Sequence, residues 1–129
     1  MKNRGFTLVE LLGVVFILAL LGLIIVPVVS NVLNDNKMKL YNVQIQHIED
    51  GAKSYVSERV FSIDIPDGTS RGITLGTLQD LGYVKSDITD PLTRQKFSRD
   101  LIIVISNKSG AFEYTVCTSS VYCESVVML

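Results

Sequence analysis

An α+β fold, in which one long N-terminal helix packs on a small antiparallel β-sheet, is predicted by three observations on this 129-residue chain. From Phe6 to Val29 the residues are apolar apart from Thr7, Glu10 and the small residues. Beyond them, apolar side chains recur at alternating three- and four-residue steps, the helical period. After Leu101 the pattern changes to an apolar run followed by strict alternation, which is strand-like.

The first element is of membrane-spanning length. A helix needs about 20 apolar residues to cross the hydrocarbon core, and residues 6–29 extend roughly 36 Å at about 1.5 Å per residue. The run exceeds the roughly 7–15 residues of a cleaved secretory signal, and Val28-Val29-Ser30 makes a poor cleavage site. Lys2 and Arg4 precede the run. The positive-inside bias holds such residues in the cytoplasm, so the C-terminal part is expected outside the cell.

Glu10 is the costly residue of this segment. A carboxylate within a membrane helix is unfavourable, although the positive end of the helix dipole offsets part of that cost in the first turn. Two readings follow. Either Glu10 reaches up to the headgroups, or it awaits a positive partner, such as an α-amino group created at Phe6 by a cut after Gly5.

Gly5-Phe6-Thr7-Leu8-Val9-Glu10, followed by Leu11-Leu12 and an uncharged run with Pro27 late in it, resembles the processing signal of type IV prepilins. The pseudopilins of type II secretion and competence systems carry the same signal. The resemblance implies a pilin-like fold and a division into a leader (1–5), a transmembrane and filament-core helix (6–29), the amphipathic half of that helix (30–60) and an extracytoplasmic part with the sheet (61–129). It implies cleavage between Gly5 and Phe6 by a membrane prepilin peptidase, methylation of the Phe6 amine, and pairing of Glu10 with the Phe6 amine of a neighbouring subunit. Pro27 would mark a segment able to lose helical structure in the fibre. Gly13 departs from the bulkier residue usual there; Gly13, Ala19 and Gly22 would permit close helix approach. The implied partners are other copies and other pilins, the membrane, an assembly ATPase and an inner-membrane platform protein. The implied location is the cell membrane before assembly and a surface filament after it.

The second half of the helix carries the stripe Met38, Tyr41, Ile45, Ile48, Ala52 and Tyr55. It is expected to end near Val60, ahead of a turn at Pro66-Asp67-Gly68. His47 lies beside the stripe without a second histidine, a poor start for metal ligation. Leu75, Leu78 and Leu81 predict a short helix with Thr74 as N-cap and Gly82 as stop. A loop through Asp87, Asp90 and Pro91 follows; some secretion pseudopilins hold calcium in a comparable loop, yet no full ligand series is visible.

Leu101–Ile105 reads as a strand buried on both faces. Asn107-Lys108-Ser109-Gly110 reads as a turn, and Phe112, Tyr114 and Val116 as the inward positions of a half-buried strand. A last strand is expected between Val121 and Val127. Cys117 and Cys123 flank the preceding turn and form a candidate disulfide pair if that end is extracytoplasmic; free buried thiols are the alternative. Closing so short a loop would contribute at most about 2–3 kcal/mol.

A formal net charge of −1, with Lys and Arg scattered, gives no signal for a nucleic-acid partner. No nucleophile sits beside a histidine, and no metal-ligand spacing or phosphate-cradling loop is present. Asp64 and Asp67 fall in a turn with nothing to orient them. No enzyme activity, catalytic residue, cofactor or metal site is therefore predicted. Two readings remain: a subunit of a type IV pilus-like filament serving adhesion or motility, DNA uptake or secretion, and a monomeric signal-anchored binding domain.

Overall fold

The computed structural model describes residues 5, 7–118, 123 and 126–129. The architecture is α+β: a long helix packs on a four-stranded mixed sheet. The elements are α1 (Leu8–Glu58), β1 (Ser70–Thr74), α2 (Leu75–Asp80), β2 (Ile102–Lys108), β3 (Ala111–Val116) and β4 (Val127–Met128). The chain divides into two compact units, one ending at Lys37 and the other running from Met38 to Leu129.

The first unit is helix. Every residue of α1 from Leu8 to Val29 is exposed except Gly22, which is half-buried. Helical hydrogen bonding carries through Pro27, whose missing N–H cannot serve the carbonyl of Leu23. The Ser30 hydroxyl donates to the Val26 carbonyl at 3.0 Å.

The second unit holds the core. Ile48, Ala52 and Val56 of α1 are buried with Ile73 of β1, Leu75 and Leu78 of α2, Ile103 and Ile105 of β2, and Val116 of β3. The expected helical stripe is present over Tyr41, Ile45, Ile48, Ala52 and Tyr55, but Met38 is exposed and Gly51 and Val56 are buried instead. Gly51 has a steric reason. A Cβ there would lie 2.5 Å from Cγ2 of Val84 and 3.1 Å from the Tyr83 carbonyl oxygen, so the helix approaches the chain after α2 through this gap.

The sheet order is β3-β2-β1-β4. β1–β2 and β2–β3 are antiparallel, whereas β4 lies parallel to β1, with Arg71 opposite Val127 and Gly72 opposite Met128. The sheet is thus mixed rather than wholly antiparallel. β1 was not expected, since Ser70-Arg71-Gly72-Ile73-Thr74 has a single large aliphatic residue. Its partner across the ladder supplies the apolar content, and the Ser70 and Ser106 hydroxyls meet at 2.8 Å. A Cβ at Gly72 would meet the Met128 sulfur at 2.7 Å and the Ile102 Cγ2 at 3.3 Å, so the Met128 side chain lies directly over this glycine and would have to move aside to admit one.

β2 differs from the expectation of burial on both faces. Ile103 and Ile105 are buried while Ile102 and Val104 are half-buried, because only one face meets the helix-lined core. The β2–β3 connection is a two-residue turn in which Ser109 and Gly110 both have positive φ (54° and 86°), the arrangement that follows the twist of a hairpin. β3 alternates as expected. Of the strand expected over 121–127, residues 121, 122, 124 and 125 lie outside the described residues, and the described strand is Val127–Met128.

Asn107 ties the hairpin to the connection after α1. Its amide N–H donates to the Thr69 carbonyl at 3.0 Å and its carbonyl accepts from Gly68 N–H at 2.9 Å. Its side-chain Nδ2 donates to the Ile65 carbonyl at 2.8 Å, and its Oδ1 accepts from Gly110 N–H at 3.0 Å. The turn at Pro66-Asp67-Gly68 closes with Thr69 N–H on the Pro66 carbonyl. α2 is capped by Thr74, whose hydroxyl accepts from Thr77 N–H at 3.2 Å. It ends with Gly82 N–H on the Gln79 carbonyl and Tyr83 N–H on the Leu78 carbonyl, the paired bonds of a Schellman stop with glycine at positive φ.

Candidate functional site

The candidate site is the start of α1. Thr7 stands at the N-cap: its Oγ1 accepts from Glu10 N–H at 3.2 Å, and its carbonyl accepts from Leu11 N–H at 3.0 Å. The first bond satisfies a donor that the first turn leaves open, and the second is the first regular bond of the helix. Thr7 was not singled out from the sequence, although Thr-x-x-Glu before an apolar run is the capping-box signal that finds it.

Glu10 follows in the first turn of α1, exposed, where the helix dipole favours an anion. It is the only ionisable side chain from Gly5 to Asn34. Gly5 is exposed, with open space where a Cβ would sit. Phe6, and with it the amine expected to pair with Glu10, lies outside the described residues. Pro27 is within the helix, and Gly13 and Gly22 face open space.

α1 is long and apolar enough to cross a membrane by length and composition, and its most apolar stretch is not buried within the chain. That separates it from the core helix of a soluble domain. Such a surface needs lipid or other helices around it, which suggests membrane anchoring.

In the C-terminal unit, Cys117 and Cys123 are joined as a disulfide, with Cα atoms 5.8 Å apart. Cys117 N–H donates to the Ile102 carbonyl at 2.8 Å, so the bridge hangs from the start of β2. His47 is exposed beside a cleft shared with Tyr83, Val84 and Ile88. Asp90 accepts from Leu92 N–H at 2.8 Å, and Asp67 from Ser109 N–H at 2.6 Å, so both carboxylates shape turns. Asp64 and Asp87 are exposed. Among the described residues no group of three or more His, Cys, Asp or Glu side chains gathers around a metal-sized site.

Burial at the helix–sheet contact pushes the Glu49 carboxyl above its usual range, opposed by the Val116 amide and reinforced by Asp50. The Tyr83 phenol is raised chiefly by its hydrogen bond to the Glu58 carboxylate. Burial raises Tyr114.

Comparison with known proteins agrees with this assembly of features. Residues 1–26 match the family model described as the prokaryotic N-terminal methylation motif. The chain is 35% identical over 91 residues to Competence protein ComGC of Bacillus subtilis (strain 168), covering 70% of this chain and 84% of that protein. No solved structure matches. A capped apolar helix carrying a methylation motif, continued into a small α+β unit, defines a pilin-type subunit. The chain belongs to the type IV pilin and pseudopilin family, whose members are structural proteins that associate with other pilins.

Proposed function

We propose that the chain is the subunit of a type IV pilus-like filament serving DNA uptake in competence. The observation that carries this reading is the bare first half of α1: exposed apolar residues from Leu8 to Val29, with Glu10 as their one ionisable side chain. The competence assignment draws on the relative named above.

Before assembly the helix of residues 6–29 is held in the membrane, with the leader 1–5 in the cytoplasm and the later residues outside. A prepilin peptidase cuts between Gly5 and Phe6 and methylates the new amine. The Glu10 carboxylate then pairs with the Phe6 amine of a neighbouring subunit, and Pro27 lets the preceding segment change its backbone as the fibre packs. Lipid tails are about as apolar as a leucine-lined core, so leaving the membrane gains little hydrophobic energy. Close packing and the Glu10 pair supply the preference for the fibre, while an assembly ATPase and a platform protein supply the work of extraction. Outside the cytoplasm the Cys117–Cys123 bridge is kept oxidised.

Glu10→Val tests this reading. The variant is expected to insert in the membrane as the wild type does, and to enter filaments poorly. Normal filament yield would refute the role given to Glu10.

A further inference from the structure

We infer that the Cys117–Cys123 bridge is a latch for β4: closed, it holds Val127–Met128 on the edge of β1, and its reduction loosens that strand and opens the edge while the core stays folded. The inference stands apart from the filament reading and concerns only the C-terminal unit.

β4 has little of its own to hold it. It is two residues long, and Val127 and Met128 are 67% and 43% exposed. Its ties are the parallel pairing with Arg71 and Gly72, the Leu129 N–H donated to the Gly72 carbonyl at 2.8 Å, and the Met128 sulfur over the bare Cα of Gly72. So short a strand is marginal, and register is weakly specified where glycine lies opposite. Something else must bring β4 to β1.

The sheet order shows what does. β3 and β4 are the two outer strands, with β2 and β1 between them. Cys117 follows β3, and its N–H donates to the Ile102 carbonyl; Ile102 pairs with Thr74, whereas Val127 pairs with Arg71. From Cys117 to Val127 the chain therefore crosses three strand spacings, about 14 Å, and moves back three residues, about 10 Å. The separation is about 17 Å by these spacings.

The bridge brings the Cys123 Cα to 5.8 Å from the Cys117 Cα. The four residues on to Val127 reach at most about 14 Å, so the closed path reaches about 20 Å, little more than the separation. Val127 is thereby confined to the near part of the β1 edge. With the bridge open, ten residues reach up to about 36 Å, and β4 has the whole edge, or solvent, within range. Shortening a tether from ten residues to four raises the local concentration of its end by about fourfold, since that concentration falls as roughly the −3/2 power of length.

Loosening β4 has a structural consequence. The Gly72 carbonyl turns towards β4, where it meets the Leu129 N–H. Without β4 the edge of β1 is unpaired, and an unpaired edge is a template for another strand. Both cysteines are half-buried, which leaves the bridge open to a small dithiol. The exchange balances: the dithiol gives two electrons and two protons to the bridge, leaving two cysteine thiols, and closes to its own cyclic disulfide.

Amide exchange in the full-length protein in detergent micelles, before and after reduction with dithiothreitol, tests the latch. Exchange at Leu129 is expected to accelerate by about fourfold or more, while Ile103 and Ile105, buried in β2, keep their protection. Cys117→Ser combined with Cys123→Ser should reproduce the reduced pattern without reductant. Unchanged exchange at Leu129 would overturn the latch. Faster exchange at Ile103 and Ile105 in step with Leu129 would overturn it too, since the bridge would then staple the whole unit. Either result leaves the filament reading standing.

Discussion

The backbone N–H of Glu10 donates to Oγ1 of Thr7, three residues earlier, at 3.2 Å. The cap uses the Glu10 amide and leaves its carboxylate unpartnered among the described residues. One residue thus sits in a fixed first turn while its charge remains available to another chain. Thr7→Ala is expected to cost the helix start about 1 kcal/mol. In detergent micelles, amide exchange at Glu10 and Leu11 should accelerate while exchange beyond Val14 is unaffected. Unchanged exchange at Glu10 would mean the cap has no energetic weight.

Gly51→Ala should destabilise the C-terminal unit by about 1–3 kcal/mol, the usual cost of overpacking. Alanine favours a helix over glycine by up to about 1 kcal/mol. Here that gain is opposed by a Cβ placed 2.5 Å from the Val84 methyl and 3.1 Å from the Tyr83 carbonyl oxygen. Denaturant unfolding of the solubilised protein measures the balance, and a net stabilisation would contradict the close approach.

Asn107→Ala removes the bonds to the Ile65 carbonyl and the Gly110 amide. A loss of about 1–3 kcal/mol is expected, the cost of leaving such groups unsatisfied. Asn107→Asp keeps the acceptor for Gly110 but replaces the donor to Ile65 with a carboxylate oxygen facing that carbonyl, and should be no more stable than Asn107→Ala. The order of the three midpoints in denaturant checks this.

Glu49 makes the C-terminal unit sensitive to pH in a defined direction. Its carboxyl is raised in the fold above the ordinary 4.5, so the folded state binds the proton more readily than the unfolded one. Its contribution is therefore fully present below about pH 4.5 and is lost as pH rises through the folded-state value. Glu49→Gln should remove this dependence and raise stability near neutrality relative to wild type. Unfolding curves taken at acid and neutral pH test it: an unchanged difference between the two would exclude Glu49 as its source.

Much of this fold was legible in the sequence, for reasons that are local. The length and apolarity of residues 6–29 sufficed for the helix, and Thr74, Leu78 and Gly82 marked the start, face and stop of α2. The hairpin turn was signalled by Asn107-Lys108-Ser109-Gly110. β1 was not legible, because its strand state depends on Ile102–Ser106, more than twenty residues away, instead of on its own composition. β4 joins β1 in parallel through Gly72, a contact that no pattern near Val127 announces. Gly51 was missed for a similar reason: its need for a bare Cα comes from Val84. At the candidate site Glu10 stood out by charge alone. Thr7 required recognising that a hydroxyl three residues before it caps the helix.

The central claim concerns the bond between Gly5 and Phe6, which decides whether Glu10 has an amine to meet. Intact-mass measurement of the protein sheared from the cell surface tests it most directly. The mature chain should lack residues 1–5, begin at Phe6 and carry one methyl group on its terminal amine. A surface protein that retains residues 1–5 in cells with an active prepilin peptidase would contradict the account.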